Sequence, residues 1–439
     1  MNSQYRHILR QKIVDAVAMA LPSLTRRDTW LPTVPNKATA VIGMRRVGKT
    51  SLLWQIIAER HAEGVPREGL LYINFEDERL AGLQGNELSI LLEEYYRLYP
   101  EWRDQRRAAF FLDEIQVIPG WEQFARRLLD SETVDLFVSG SSARMLSRDI
   151  ASSMRGRAME TIVFPFSFRE SLRHAGQEPQ KPPEHLTKAE RSLLHKQLLS
   201  YLEQGGFPEA QGLDPRNRAA LLTNYVDVVI LRDVIERHGI NQPLVLRWMV
   251  RKLLGNAAGL FSINKFHADL KSQGVPVGKD TLHSYLGYLE DTFLLQSITV
   301  ATDSERRRRV NPRKAYPIDT GLIPVFDRSG KANLGHALET ALFLELLRKG
   351  SDVSYVRTEG GFEVDFHVRA PSGDEALIQV CANPDDTETL NREIRALLDA
   401  EKDYPGADLL LITLDQPTVE IPGNVTVRTA GDWLLEQKN

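Results

Sequence analysis

The stretch Gly43-Met44-Arg45-Arg46-Val47-Gly48-Lys49-Thr50 decides the fold. It fits G-x-x-x-x-G-K-[ST], a loop whose glycines let the main chain curl until its N–H groups point inward at a phosphate. The helix that follows adds the partial positive charge of its N-terminus. Lys49 is placed to reach the β- and γ-phosphates, and the Thr50 hydroxyl to hold Mg²⁺. Gly43, Arg45, Arg46, Val47, Gly48 and Ser51 complete the cradle. An apolar run, Ala38–Ile42, leads in, and an amphipathic stretch, Ser51–Arg60, leads out. Gly and Lys in that pairing make no structural sense without an anion. ATP and Mg²⁺ are therefore the expected ligands.

Downstream, Phe110-Phe111-Leu112-Asp113-Glu114 ends an apolar strand in two acids. Asp113 is expected to hold the magnesium through water, and Glu114 to orient or deprotonate an attacking water. The run Val134–Val138 leads into Ser139-Gly140-Ser141-Ser142. A polar cluster at a strand's carboxyl end lies beside the ligand crevice of an open α/β sheet. It suits a γ-phosphate sensor or an ordinary turn. Arg155 and Arg157 precede a further strand and suit either a solvated pair or a source of positive charge for the transition state, in cis or to a neighbouring subunit. Lys49, Glu114 and Arg157 are the candidate catalytic groups.

Working outward, residues 38–164 alternate short apolar runs with amphipathic stretches, the pattern of crossover units on a parallel sheet. Residues 176–186 read as an exposed loop and 186–260 as helices. Between 262 and 300 two helices, the first capped by Ser262, precede a strand, an order resembling a winged helix-turn-helix. Residues 335–439 return to α/β texture. The chain has 439 residues, enough for several cores. Its 42% hydrophobic and 26% charged residues exclude a disordered chain, a collagen-like fibre and a disulfide mini-protein. The single cysteine, Cys381, cannot form an intrachain disulfide, which suits a reducing compartment. No Cys/His cluster has zinc spacing. No stretch reaches the roughly 18 apolar residues of a membrane helix. The segment Ile13–Leu24 is the nearest to a signal peptide, and Asp15 and Pro22 interrupt it. The expectation is a cytoplasmic protein without a membrane partner, with oligomerisation left open.

Several motifs together resemble a prokaryotic family of AAA-superfamily ATPases. They are Gly43–Thr50, Leu112–Gln116, Ser139–Ser141, Phe164–Phe168, Gly205-Gly206-Phe207-Pro208-Glu209, Arg232-Asp233-Val234, Tyr316–Gly321 and Glu363–Phe366. The resemblance covers nearly the whole chain. It implies an AAA-type ATPase at 1–170, a helical lid or linker at 171–240, a winged-helix-like domain at 241–316 and a restriction-endonuclease-like α/β domain at 317–439. Nucleases of that last fold use an acid on a helix, an acid on a strand and an acid-x-lysine on the next strand, and the carboxylates hold Mg²⁺. By that resemblance Glu339, Glu363, Asp365 and Gln379 mark the candidate site. Gln379 stands where an acid is expected and Cys381 where a lysine is expected. Both departures remove charge, so the domain reads as degenerate.

The total charge of −4 hides opposed halves. Residues 241–316 carry twelve basic and six acidic side chains, and 317–439 carry eleven and twenty-two. The basic 306–314 segment, with Arg306-Arg307-Arg308-Arg309, Arg313 and Lys314, suits the backbone of DNA or a protein partner. Lys279, His283 and Ser284 are the exposed positions of a candidate recognition helix. The acidic C-terminal region would repel a phosphate backbone. Three readings follow: an ATPase that drives the C-terminal module, an ATP-controlled DNA-binding switch, and an ATP-regulated nuclease.

Overall fold

The computed structural model describes residues 2–32, 34–140, 154, 156–327 and 333–436. The chain divides into two compact units, Met1–Val163 and Phe164–Asn439.

The first unit is built on five strands: β1 (Ala38–Ile42), β2 (Leu70–Asn74), β3 (Ala108–Asp113), β4 (Val134–Gly140) and β5 (Ala158–Ile162). Their order is β2-β3-β4-β1-β5, and every pairing is parallel. All residues of β1 and β3 are buried. Strands covered on both faces read as continuous apolar runs, which is why these two stand out in the sequence. Among the described residues, four α-helices, α1 (Asn2–Ala18), α2 (Lys49–Ala62), α3 (Ser89–Leu98) and α4 (Trp121–Ser131), belong to this unit. Because β4 lies between β1 and β3, the carboxyl ends of all three meet along one edge, with Ile42 beside Gly140 and Leu112 beside Val138.

The first half of the stretch that most resembles a signal peptide, residues 13–18, falls in α1. This helix buries Leu9 and Ile13 completely. Burying such side chains stabilises by about 1.5–3 kcal/mol each. Its polar face is anchored by Arg6–Glu94 at 2.6 Å and Lys12–Asp77 at 2.7 Å.

In the second unit the helix Lys188–Gln204 ends at Gly205, whose φ is 77°. A Cβ on Gly205 would lie 1.8 Å from Asp319 Oδ1. Asp319 Oδ2 accepts the Gly206 N–H at 2.6 Å, and Oδ1 accepts the Gly321 N–H at 3.0 Å. So the Gly205-Gly206 turn and the Asp319-Thr320-Gly321 turn form one buried joint. Burial pushes the Asp319 carboxyl up to about 6, although both N–H groups pull it down.

The helices Ile263–Ser272 and Lys279–Asp291 are followed by a small antiparallel sheet. It contains β6 (Leu260–Phe261), β7 (Leu295–Ile298) and β8 (Arg313–Pro317) in the order β6-β8-β7. The arginine run lies in a short helix, Glu305–Val310, capped by Ser304. The larger sheet has the order β13-β12-β11-β10-β9, with β9 (Asp352–Arg357), β10 (Glu363–Arg369), β11 (Glu375–Cys381), β12 (Asp408–Thr413) and β13 (Val425–Thr429). The first three strands are antiparallel and the last three parallel. The helix Thr387–Ala400 connects β11 to β12, and its Leu390 and Leu397 pack in one core with Val364 and Leu411.

Strict alternation along β10 predicts Glu363, Asp365 and His367 on one face. The structure corrects this. The pairing register with β9 shifts between Val364 and His367. Val364 packs into the core around Leu397, whereas Phe366 stacks on Phe343 of the helix Leu334–Arg348. A bulge of this kind re-aims side chains. His367 lies against Tyr404, apart from the contacts that Glu363 and Asp365 make.

Candidate functional site

The phosphate loop runs from the end of β1 into α2. Gly43 has φ 150°, and a Cβ there would lie 2.4 Å from the Val163 carbonyl oxygen, so only glycine fits. Gly48 is left-handed at φ 100° and caps α2. Arg46 is also left-handed at φ 70°, a conformation that costs a non-glycine residue free energy and concentrates at functional sites. Val47 is buried and its carbonyl accepts from Arg27 at 2.9 Å. Arg45 pairs with Glu76 at 3.5 Å. Ser51 follows in the first turn of α2. Lys49 is 5% exposed; its Nζ donates to the Gly43 and Met44 carbonyls at 3.1 Å and stands 3.8 Å from Glu114.

Asp113 at the end of β3 is fully buried and heavily bonded. Thr50 Oγ1 donates to its Oδ2 at 2.8 Å, and the Tyr72 hydroxyl donates to the same oxygen at 2.7 Å. Ser139 Oγ donates to Oδ1 and accepts the Glu114 N–H at 2.9 Å. Burial, then the Asp113 charge, raise the Tyr72 pKa above its ordinary value. Glu114 is left-handed at φ 52°, and its carboxylate accepts from Gln116. This geometry gathers Lys49, Thr50, Asp113, Glu114 and Ser139 at one edge of the sheet. Tyr72 was missed in the sequence, although it lies two residues before the end of β2, the strand beside β3, where such a hydroxyl is within reach.

Arg157 is not in this group. Its carbonyl accepts from Ala38 at 2.8 Å, at the amino end of β1, and its side chain pairs with Asp130 of α4. The phosphate loop leaves the carboxyl end of β1, about 16 Å away at 3.3 Å per residue. The cis role expected for Arg157 does not fit that placement. Arg155, Ser141 and Ser142 lie outside the described residues.

A second cluster occupies the second unit. Lys314, on β8, is 3% exposed. Its ammonium lies 3.0 Å from Glu339 of the helix Leu334–Arg348, 3.0 Å from Glu363 and 2.8 Å from Asp365 of β10. Tyr316, on the same face of β8 by its two-residue spacing, donates to Glu339 Oε1 at 2.8 Å. The Val380 N–H donates to Asp365 Oδ2 at 3.0 Å. Gln379 accepts the Asp365 N–H at 3.2 Å and donates to Glu393 at 2.6 Å. Burial opposes the Lys314 charge, but Asp365, Glu339 and Glu363 together hold its pKa well above its ordinary value. Burial and then the Asp365 charge raise the Glu339 pKa above its ordinary value, against the pull of Lys314. Cys381 is buried, and burial pushes its thiol up to about 11, so it is not a thiolate at neutral pH.

This cluster changes two sequence expectations. The lysine missing at Cys381 has a counterpart from β8. And Lys314, assigned to a DNA-facing segment, is buried among carboxylates. Arg313 is likewise drawn to Glu290, at 3.6 Å, and Arg308 to Glu305, at 2.7 Å. Lys279, His283, Ser284, Arg306 and Arg307 are exposed. Among the described residues no group of three His, Cys, Asp or Glu is arranged to hold a metal ion. None of the described helices is long and apolar enough to cross a membrane.

The sheet order and loop define an AAA-type P-loop ATPase. A family model described as an AAA domain matches residues 35–172, and another, described as a domain of unknown function, matches 195–331. An uncharacterized protein of Methanocaldococcus jannaschii is 33% identical over 421 residues, which span 94% of this chain and 90% of that one. One from Haemophilus influenzae is 28% identical over 400 residues, spanning 90% and 94%. Among solved structures, a Walker-type ATPase of Pyrococcus abyssi is similar at 16% identity and a TM-score of 0.40, over 73% of this chain and 95% of that one. The chain belongs to the family of AAA-domain proteins that includes the Methanocaldococcus relative.

Proposed function

We propose that the chain hydrolyses ATP with Mg²⁺ and that turnover switches the state of the second unit. The observation that carries this is the 2.8 Å bond from Thr50, in the first turn of α2, to Asp113, at the end of β3. It brings a helix-start hydroxyl and a buried carboxylate together, the oxygen pair that suits Mg²⁺. Mg²⁺ bound there would offset the phosphate charge. Lys49 and the loop N–H groups hold the phosphates. Glu114, held in a left-handed conformation, orients the attacking water and takes its proton. Ser139 positions Asp113 and the Glu114 main chain at once. In this reading the map is 1–170 ATPase, 171–240 helical linker, 241–316 winged helix and 317–439 nuclease-like, in the cytoplasm. Calorimetric titration with ATP tests the site: Lys49→Ala loses binding, and equal affinity in both proteins would falsify the assignment. An ATPase assay with and without duplex DNA then tests what the second unit responds to.

The exposed Lys279, His283, Ser284, Arg306 and Arg307 favour a second reading, an ATP-controlled DNA switch. The three cations among them, Lys279, Arg306 and Arg307, predict a slope of log affinity against log salt of about −3. No binding to a mixed duplex at low salt removes this reading. Arg157 belongs to it, or to the first, only as a group offered to a neighbouring copy. ATP-regulated nuclease action is the least supported of the three, because the carboxylates it needs are already engaged by Lys314.

A further inference from the structure

We propose that Lys314 is the resident cation of a carboxylate site and holds that site closed to divalent metal. The inference stands apart from the ATP assignment.

Three acids from two separate elements converge on one ammonium, at 2.8 to 3.0 Å. A position surrounded in this way is a cation position, and here the chain itself fills it. The oxygens that would face a metal are already spoken for. Asp365 Oδ1 accepts from Lys314 and Oδ2 from the Val380 N–H. Glu339 Oε1 accepts from both Lys314 and Tyr316. Mg²⁺ or Mn²⁺ needs such oxygens at about 2.0–2.2 Å, in a shell of roughly six. An ammonium on the same oxygens takes that volume, and a second cation beside it would be repelled strongly in a buried site. The neutral amide of Gln379, bonded to Glu393, contributes no further anionic ligand toward the centre.

Charge balance describes the same state. Three acids against one lysine leave an excess of negative charge. Glu363 is the acid of the three with the most solvent access, its side chain 32% exposed, and it can share that charge with water. Lys314 therefore does for these carboxylates what a metal does in a nuclease of this shape, while leaving no open coordination position for a phosphodiester. The alternative is that Lys314 swings aside when metal arrives, which would make the cluster a working metal centre.

Mn²⁺ binding to the full-length, nucleotide-free protein, followed by electron paramagnetic resonance, separates the two. Wild type and Glu339→Gln should bind the same number of Mn²⁺ ions. Lys314→Met should bind one more per chain than wild type, and Lys314→Met/Asp365→Asn should lose it. Mn²⁺ should also raise the melting temperature of Lys314→Met more than that of wild type, since binding only the folded state stabilises it. The proposal is overturned if wild type holds a Mn²⁺ that Glu339→Gln removes, or if folded Lys314→Met gains none. Should Lys314→Met fail to fold, the comparison of wild type with Glu339→Gln still decides the question.

Discussion

Two buried lysines define this molecule, and their surroundings differ in one respect. Lys49 is held by two main-chain carbonyls at 3.1 Å, with Glu114 at 3.8 Å. Lys314 is held by three carboxylates within 3.0 Å. Carbonyls carry dipoles but no formal charge, whereas carboxylates carry both. A lysine in a curled glycine loop is presented to an incoming anion. A lysine ringed by acids is committed to the protein. Residue type alone does not distinguish a ligand-binding cation from a structural one; the formal charge around it does.

The sharpest break of this contrast is at the catalytic edge. Glu114→Gln should keep ATP affinity while turnover falls by about 10²- to 10⁴-fold, the range for losing a general base. Unchanged phosphate release in a steady-state assay would remove Glu114 from that role. At the other lysine the effect should appear in stability instead. Lys314→Met leaves buried carboxylates without their cation and should cost about 3–5 kcal/mol in denaturant unfolding. It should leave ATP binding unchanged, and a loss below 1 kcal/mol would mean the cluster is wetter than its burial indicates.

The buried joint at Asp319 gives a pH test. Its folded pKa of about 6 lies above the ordinary 3.8. A raised carboxyl binds more protons folded than unfolded, so its contribution to stability is present below about pH 4 and falls as pH rises toward 6. The change amounts to about 3 kcal/mol. Asp319→Asn should flatten the slope of stability between pH 4 and 6, and an unaltered slope would mean other groups cause it. The smallest expected effect is at Tyr72. Tyr72→Phe removes one hydrogen bond to the Asp113 carboxylate, worth about 1.5–3 kcal/mol. It should weaken the Mg²⁺ dependence of nucleotide affinity by roughly tenfold and lower the melting temperature by a few degrees. Equal Mg²⁺ titration curves would show that Thr50 and Ser139 suffice to orient Asp113.

Much of the phosphate site was legible because its parts are local. Gly43, Gly48, Lys49 and Thr50 lie within eight positions, and left-handed backbone at a loop-to-helix junction is written in glycines. Asp113 and Glu114 were legible as acids closing an apolar run. The period-two reading of β10 failed for His367 because a bulge is set by the pairing with β9 rather than by composition. The cis alternative for Arg157 could not be judged from the sequence, which does not say which end of a parallel sheet a flanking residue occupies.

By itself, then, the sequence determined a nucleotide-binding α/β unit, since one contiguous loop carries the chemistry that cradles phosphate. Only the tertiary structure decided the fate of Lys314. Its partners Glu339 and Asp365 lie 25 and 51 positions away. A basic residue at the end of an arginine run looks like a ligand for nucleic acid until the fold packs β8 against two acidic elements. The physical reason is that charge acts through space over a few ångströms, and distances along a chain do not reveal which charges those ångströms contain.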